Sequence, residues 1–219
     1  MKRLISTLLA CFFFLALLAQ EVKTFELRNN TGMNAVVSNY GARVMKLEVR
    51  NWNGRLEPVI KGYAHISNYK DDITLGATLI NNAENAPLVL ADKVWEVVNV
   101  ESQTATFRCI TDIINGEHKG KLRVSVTYTL SDQNALDIDY RITTTAPTTL
   151  QVTNGICFNL SGDMHRSILK QHLWLDTHYT NKLDKEKFPT NELQKTRLTP
   201  FDFTQPREIG ERIKATING

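Results

Sequence analysis

The sequence predicts an all-β protein, a large antiparallel β-sandwich, and three observations carry that expectation. Apolar and polar residues alternate with strand period, most clearly where Leu122, Val124, Val126, Tyr128 and Leu130 interleave with Arg123, Ser125, Thr127 and Thr129. Clusters of Gly, Asn, Asp and Pro punctuate the alternating runs at the short spacing of sandwiches and barrels. Past residue 20, no stretch of about ten residues keeps the 3.6-residue apolar period of an amphipathic helix.

Residues 1–20 are read as a targeting segment and set aside. Lys2 and Arg3 precede an apolar run from Leu4 to Ala19 broken only by Ser6 and Thr7, shorter than the roughly 20 apolar residues of a membrane-spanning helix. This pattern predicts export to the periplasm or medium, with cleavage after Ala19 and no membrane span. Leu8-Leu9-Ala10-Cys11 offers lipoprotein anchoring at Cys11 as the second reading. Residues 21–219 carry no repeat, low-complexity tract or linker and are read as one domain, a length that can bury a single core.

Strands are expected at Phe25 to Arg28 and at Ala35 to Ser38. Next, Met45, Leu47 and Val49 alternate with Lys46, Glu48 and Arg50, which places the three apolar side chains on one buried face. Asn51-Trp52-Asn53-Gly54 then reads as a hairpin turn, because Asn-Gly tolerates positive φ. Trp95 to Val100 and Thr104 to Ile110 are further strands. The run from Leu122 forms a hairpin with Leu136, Ile138, Tyr140 and Ile142 across the Ser131-Asp132-Gln133-Asn134 turn; a slip of one residue would turn Asp137, Asp139 and Arg141 into the core. Leu150 to Asn154 and Leu173 to Asp176 complete the set. Thr180 to Thr204 reads as loop, since charges, Pro189 and Pro200 interrupt any period.

Charge and composition exclude several function classes. Without Lys2 and Arg3 the basic count falls from 26 to 24 against 23 acidic residues, too balanced to track a nucleic-acid backbone. Beyond the leader only Cys109 and Cys157 remain; they lack metal-site spacing and are read as two buried thiols rather than a bridge. His65, His118, His165, His172 and His178 read as surface or loop residues, with His118 set between Gly116 and Gly120. Asp163 with His165, and Asp176 with His178, are too irregularly spaced for a metal site, so no metal and no cofactor are expected. Trp52, Trp95 and Trp174 are assigned to core or hairpin packing rather than sugar stacking.

Several motifs occur in an order that resembles the aldose 1-epimerase (galactose mutarotase) family. Asn30-Thr31-Gly32-Met33 and Asn39-Tyr40-Gly41-Ala42-Arg43 look like its opening signature. Leu75-Gly76-Ala77-Thr78 is similar to the segment leading into its sugar-contacting Asn-Arg pair, and Val126-Thr127-Tyr128-Thr129-Leu130 to its central strand. Thr153-Asn154 with Phe158-Asn159-Leu160-Ser161-Gly162 resembles its "T-N-H-S-Y-F-N-L-x-G" motif. Pro189-Thr190-Asn191-Glu192, Thr199-Pro200-Phe201-Asp202-Phe203 and Ile209-Gly210 follow in family order. The resemblance implies a galactose mutarotase-like supersandwich that cradles a free glucose- or galactose-type hexose and interconverts its α and β anomers.

Anomer exchange through ring opening requires one group to take the C1 hydroxyl proton while another protonates the ring oxygen. At matching positions this sequence departs from the family. Gly155 stands where the family has its acid, a His, and Cys157 stands for its Tyr. The sugar-contacting pair falls on Glu84-Asn85, without the guanidinium. The family's second His has no counterpart before Trp95, and its base Glu and orienting Asp fall in a C-terminal third beyond Gly219. The resemblance therefore implies a C-terminally truncated relative with no identifiable catalytic residue; Glu84, Asn85, Asn154 and Cys157 remain as substrate-binding candidates. A non-catalytic sugar-binding protein is the alternative, as is one half of a two-chain assembly; unpaired sheet edges would invite a protein partner or self-association.

Overall fold

In the computed structural model, residues 21–82, 87–88, 90–115, 117–185 and 189–211 are described. The leader lies outside them. The architecture is antiparallel sheet joined by loops and two short 3₁₀ turns, Ile66–Lys70 and Ile168–Lys170. Among the described residues, no helix is long and apolar enough to cross a membrane.

A first meander contains β1 (Thr24–Arg28), β2 (Asn34–Ser38), β3 (Arg43–Arg50) and β4 (Leu56–Pro58) in sequence order. β5 (Thr78–Asn82) and β6 (Pro87–Leu88) belong to a small second sheet. The next strands, β7 (Glu96–Val100), β8 (Thr104–Asn115), β9 (His118–Leu130) and β10 (Leu136–Thr144), form the long sheet β10-β9-β8-β7. β11 (Leu150–Asn154) returns to pair with β5. The remaining strands are short: β12 (His172–Leu173) pairs with β15 (Arg207–Glu208), and β13 (Tyr179–Leu183) with β14 (Pro189–Lys195).

Alternation explains the core. Leu122, Val124, Val126, Tyr128 and Leu130 are all fully buried, and β10 pairs in the predicted register, with Leu136 opposite Leu130 and Ile142 opposite Val124. They meet Ala105, Phe107 and Cys109 of β8 and Leu27, Ala35, Val37, Val44 and Leu47 of the first meander in one contiguous cluster. Phe107 is its aromatic hub, with ring centroids 5.9 Å from Phe25 and 6.2 Å from Tyr128. Burial pushes the Tyr128 phenol up from its ordinary pKa, so it stays neutral and donates its proton to the Ala42 carbonyl.

Four expectations are corrected. Met45 does not share a face with Leu47 and Val49. The β2–β3 register jumps between Val36, opposite Lys46, and Val37, opposite Val44. Met45 is thus the extra residue of a β-bulge and turns to a separate cluster with Tyr69 and Leu75. The segment read as loop from Thr180 contains the β13–β14 ribbon. None of the ribbon's described residues is fully buried, so no alternation marked it, and Pro189 sits at a strand start where its missing N–H costs nothing. The strand expected over Leu173 to Asp176 is confined to His172–Leu173. Finally, Cys109 is buried, which pushes its thiol pKa up, but Cys157 is exposed, and both are free.

Candidate functional site

The motif Asn39-Tyr40-Gly41-Ala42-Arg43 folds inward and sets the frame for the site. Asn39 accepts from the Lys23 amide at 2.7 Å and donates to the carbonyls of Glu21 and Trp95, at 3.0 and 3.1 Å. Gly41 has φ +69°, and a Cβ there would collide with the Ala91 carbonyl, so the position requires glycine. Arg43 is fully buried, and among the described residues no carboxylate forms an ion pair with it. Its guanidinium donates to four backbone carbonyls: Tyr40 at 2.7 Å, Ala91 at 2.8 Å, and Leu75 and Ile73 at 3.3 Å each. The rings of Tyr40 and Tyr69 cover its two sides, with centroids 4.6 and 4.5 Å from Cζ. Desolvation pulls its pKa below the usual guanidinium value, against the pull of Tyr40 and Tyr69. One side chain thus ties β3 to the loop at 73–75 and to the segment at 91.

That loop leads into β5, which pairs with β11 so that Thr78 faces Asn154, Leu79 faces Thr153, Ile80 faces Val152 and Asn81 faces Gln151. Thr78 and Ile80 are buried toward the core. By strand alternation Leu79, Asn81, Gln151 and Thr153 lie on the opposite, open face, and both β11 residues there are exposed. This face is the candidate site: an amide- and hydroxyl-bearing platform suited to hydrogen-bonding a polyol.

The structure places the sequence-predicted site residues unevenly around it. Asn154 lies on the core side of β11, where its amide donates to the Tyr140 hydroxyl at 3.3 Å and its carbonyl oxygen accepts from the Ile156 amide at 3.0 Å. Cys157 is exposed at the end of the same segment, with its carbonyl held by the Lys61 amide at 2.8 Å. Glu84 and Asn85 fall outside the described residues. Gly155 continues the pairing of β11 with β5: its N–H donates to Ala77 at 2.9 Å and its carbonyl accepts from Gly76 at 2.8 Å. The space beside it is filled. A Cβ at Gly155 would overlap the Thr74 carbonyl oxygen and lie 2.9 Å from its carbonyl carbon. Backbone of the loop clamped by Arg43 thus stands where the resemblance would place an imidazole.

None of the described histidines joins the platform. His65, His165, His172 and His178 are all exposed on other segments, and the side chain of His118 lies outside the described residues. Asp163 accepts from the His165 amide at 2.9 Å and lies 3.5 Å from Arg166, so it serves its own loop. Among the described residues, no group of three or more His, Cys, Asp or Glu could hold a metal ion.

Asn159, quoted above only as part of a motif, is the organiser of the loop that follows. It is 6% exposed; its amide donates to the carbonyls of Asp163 and Arg166, and its oxygen accepts from Ser161 and from Gln171 at 2.7 Å. A short polar residue between Phe158 and Leu160 was the only sequence signal. Asn159→Ala is expected to cost about 2 kcal/mol through these unmet groups, read as a lowered urea midpoint, with faster proteolysis within 160–171.

Comparisons with known proteins bear on this geometry. The family model described as aldose 1-epimerase matches residues 88–219. An aldose 1-epimerase from Escherichia coli (strain K12) is 24% identical over 90% of the chain and 64% of its own length. A galactose mutarotase from Sus scrofa is 26% identical over 92% of the chain and 66% of its own length. The chain thus spans about two thirds of the length of these relatives. Among solved structures, a GalM/aldose epimerase homologue from C. elegans superposes with a TM-score of 0.79 at 22% identity, over 89% of this chain and 68% of that one, which shows a shared fold.

Proposed function

The chain belongs to the aldose 1-epimerase family, and from that premise we propose that it binds free hexoses on the open face of β5 and β11 without supplying anomer exchange from that face. The observation that carries this reading is the collision a side chain at Gly155 would make with Thr74. Acid–base opening of a pyranose needs two opposed proton-transfer groups. The face around Gly155 offers Asn81, Gln151 and Thr153, which orient hydroxyls but do not titrate near neutral pH. A second reading, epimerase turnover on glucose- or galactose-type sugars, is favoured by the family match itself. Export accompanies both readings and rests on the Lys2-Arg3 start and the apolar run to Ala19.

The experiment is paired. Saturation-transfer NMR with glucose and galactose is expected to show saturable binding that weakens about three- to tenfold in the Gln151→Ala variant. Two-dimensional exchange NMR of the same samples is expected to show anomer exchange no faster than in buffer. Exchange accelerated by catalytic amounts of protein would overturn the binding-only reading, and absence of saturable binding would overturn both.

A further inference from the structure

A cleft lies away from the β5–β11 face, between the tip of the β3–β4 hairpin and the loop at 160–166. It has a volume of about 540 Å³ and is lined by Trp52, Asn53, Glu57, Leu160, Asp163 and Arg166 among others. Trp52 is 93% exposed, contrary to the packing role its type suggests in a sandwich. The hairpin does not need its ring. The turn is made by Asn51, whose oxygen accepts from the Asn53 and Arg55 amides at 2.9 Å each, and by Gly54 at φ +76°. An indole exposed at a hydrogen-bonded hairpin tip is available to a ligand.

The opposite wall is equally fixed. Asn51 also donates to the Glu57 carboxylate at 2.8 Å, which pins that side chain toward the 160–166 loop. Gly162, at φ +73°, lets the loop close on it, since a Cβ there would run into the same carboxylate. Asn159 holds the loop from behind. Arg166 and Asp163 stand 3.5 Å apart at the rim with side chains 73% and 47% exposed, which leaves the Arg166 guanidinium open to solvent, and Leu160 adds an apolar surface that is 66% exposed.

We propose that this cleft is a binding site for a neutral oligosaccharide of disaccharide length or longer. A pyranose presents a flat C–H face, which the indole covers, and a rim of hydroxyls, which a carboxylate, a guanidinium and side-chain amides satisfy in pairs. The lining carries two carboxylates, Glu57 and Asp163, against one guanidinium, Arg166, a balance that disfavours a phosphorylated or acidic ligand and suits an uncharged polyol. The volume falls within the roughly 300–1,000 Å³ of small-molecule sites and exceeds the needs of one hexose. The proposal stands on these residues and not on the hexose reading of the β5–β11 face.

Titration with maltose, lactose and maltotriose, followed by tryptophan fluorescence and by the shift of the Trp52 indole N–H in NMR, tests it. Saturable binding is expected, weakened about tenfold by Trp52→Ala and largely kept by Trp52→Tyr, since both variants alter only an exposed tip. Gln151→Ala is expected to leave this binding unchanged while weakening glucose, which separates the two sites. Equal oligosaccharide affinity in wild type and Trp52→Ala, or no saturable binding of any of the three sugars, overturns the proposal.

Discussion

Arg43→Met is expected to lower the unfolding free energy by about 4–6 kcal/mol. Methionine preserves much of the apolar stem, so the change isolates the guanidinium. Its removal leaves the carbonyls of Tyr40, Ile73, Leu75 and Ala91 without their donor in a buried setting. Each such carbonyl costs roughly 1–3 kcal/mol, partly relieved by local movement. Arg43→Lys should recover only part of the loss, because an ammonium cannot span four acceptors in a planar fork or stack between Tyr40 and Tyr69. Urea unfolding followed by the buried Trp95 is the measurement. A loss below about 1 kcal/mol would show that the clamp carries no weight.

Gly155→His is expected to cost about 3 kcal/mol and to confer no anomer exchange, although it writes the family acid back into the sequence. The new Cβ meets backbone, not a side chain that swings aside, and that backbone is tethered on both sides by Arg43. Relief requires the loop to leave Gly76, whose own φ of +67° and close approach to Val44 restrict its movement. The urea midpoint measures the strain and two-dimensional exchange NMR measures the chemistry. A variant as stable as the parent would show that the loop yields, and one that accelerates exchange would show that the imidazole alone was missing.

These expectations also mark how far the sequence could be read. The β9–β10 register followed from a single rule, because one face is buried and a slip would bury Asp137 or Arg141. The bulge at Met45 obeyed no local pattern: Met45, Leu47 and Val49 alternate faithfully, and only a second cluster around Tyr69 reveals why one of them faces elsewhere. Ribbon β13–β14 was missed because period two is a record of one-sided burial, and neither of its faces is covered. At the site, glycine in place of histidine was visible in the letters. What fills the vacated space depends on Thr74, some eighty positions earlier, held by a buried arginine whose four acceptors come from three separate segments. Such convergence leaves no periodic trace. The exposure of Trp52 was likewise invisible, since residue type favours packing and only the fold shows that nothing packs there.

The bareness of the β13–β14 ribbon sets a local dynamic tier. Its ladder is held by main-chain bonds and a surface pair between Lys182 and Glu192, with no side chain anchored in the main cluster. Opening it exposes almost no new apolar area, so its amides are expected to exchange through fluctuations cheaper than global unfolding, and those of the buried faces of β8 and β9 far more slowly. Hydrogen exchange is therefore expected to resolve a slow cooperative unit carrying a fast one, with the boundary near Thr196, which is buried at the end of the ribbon and donates to the Thr177 carbonyl.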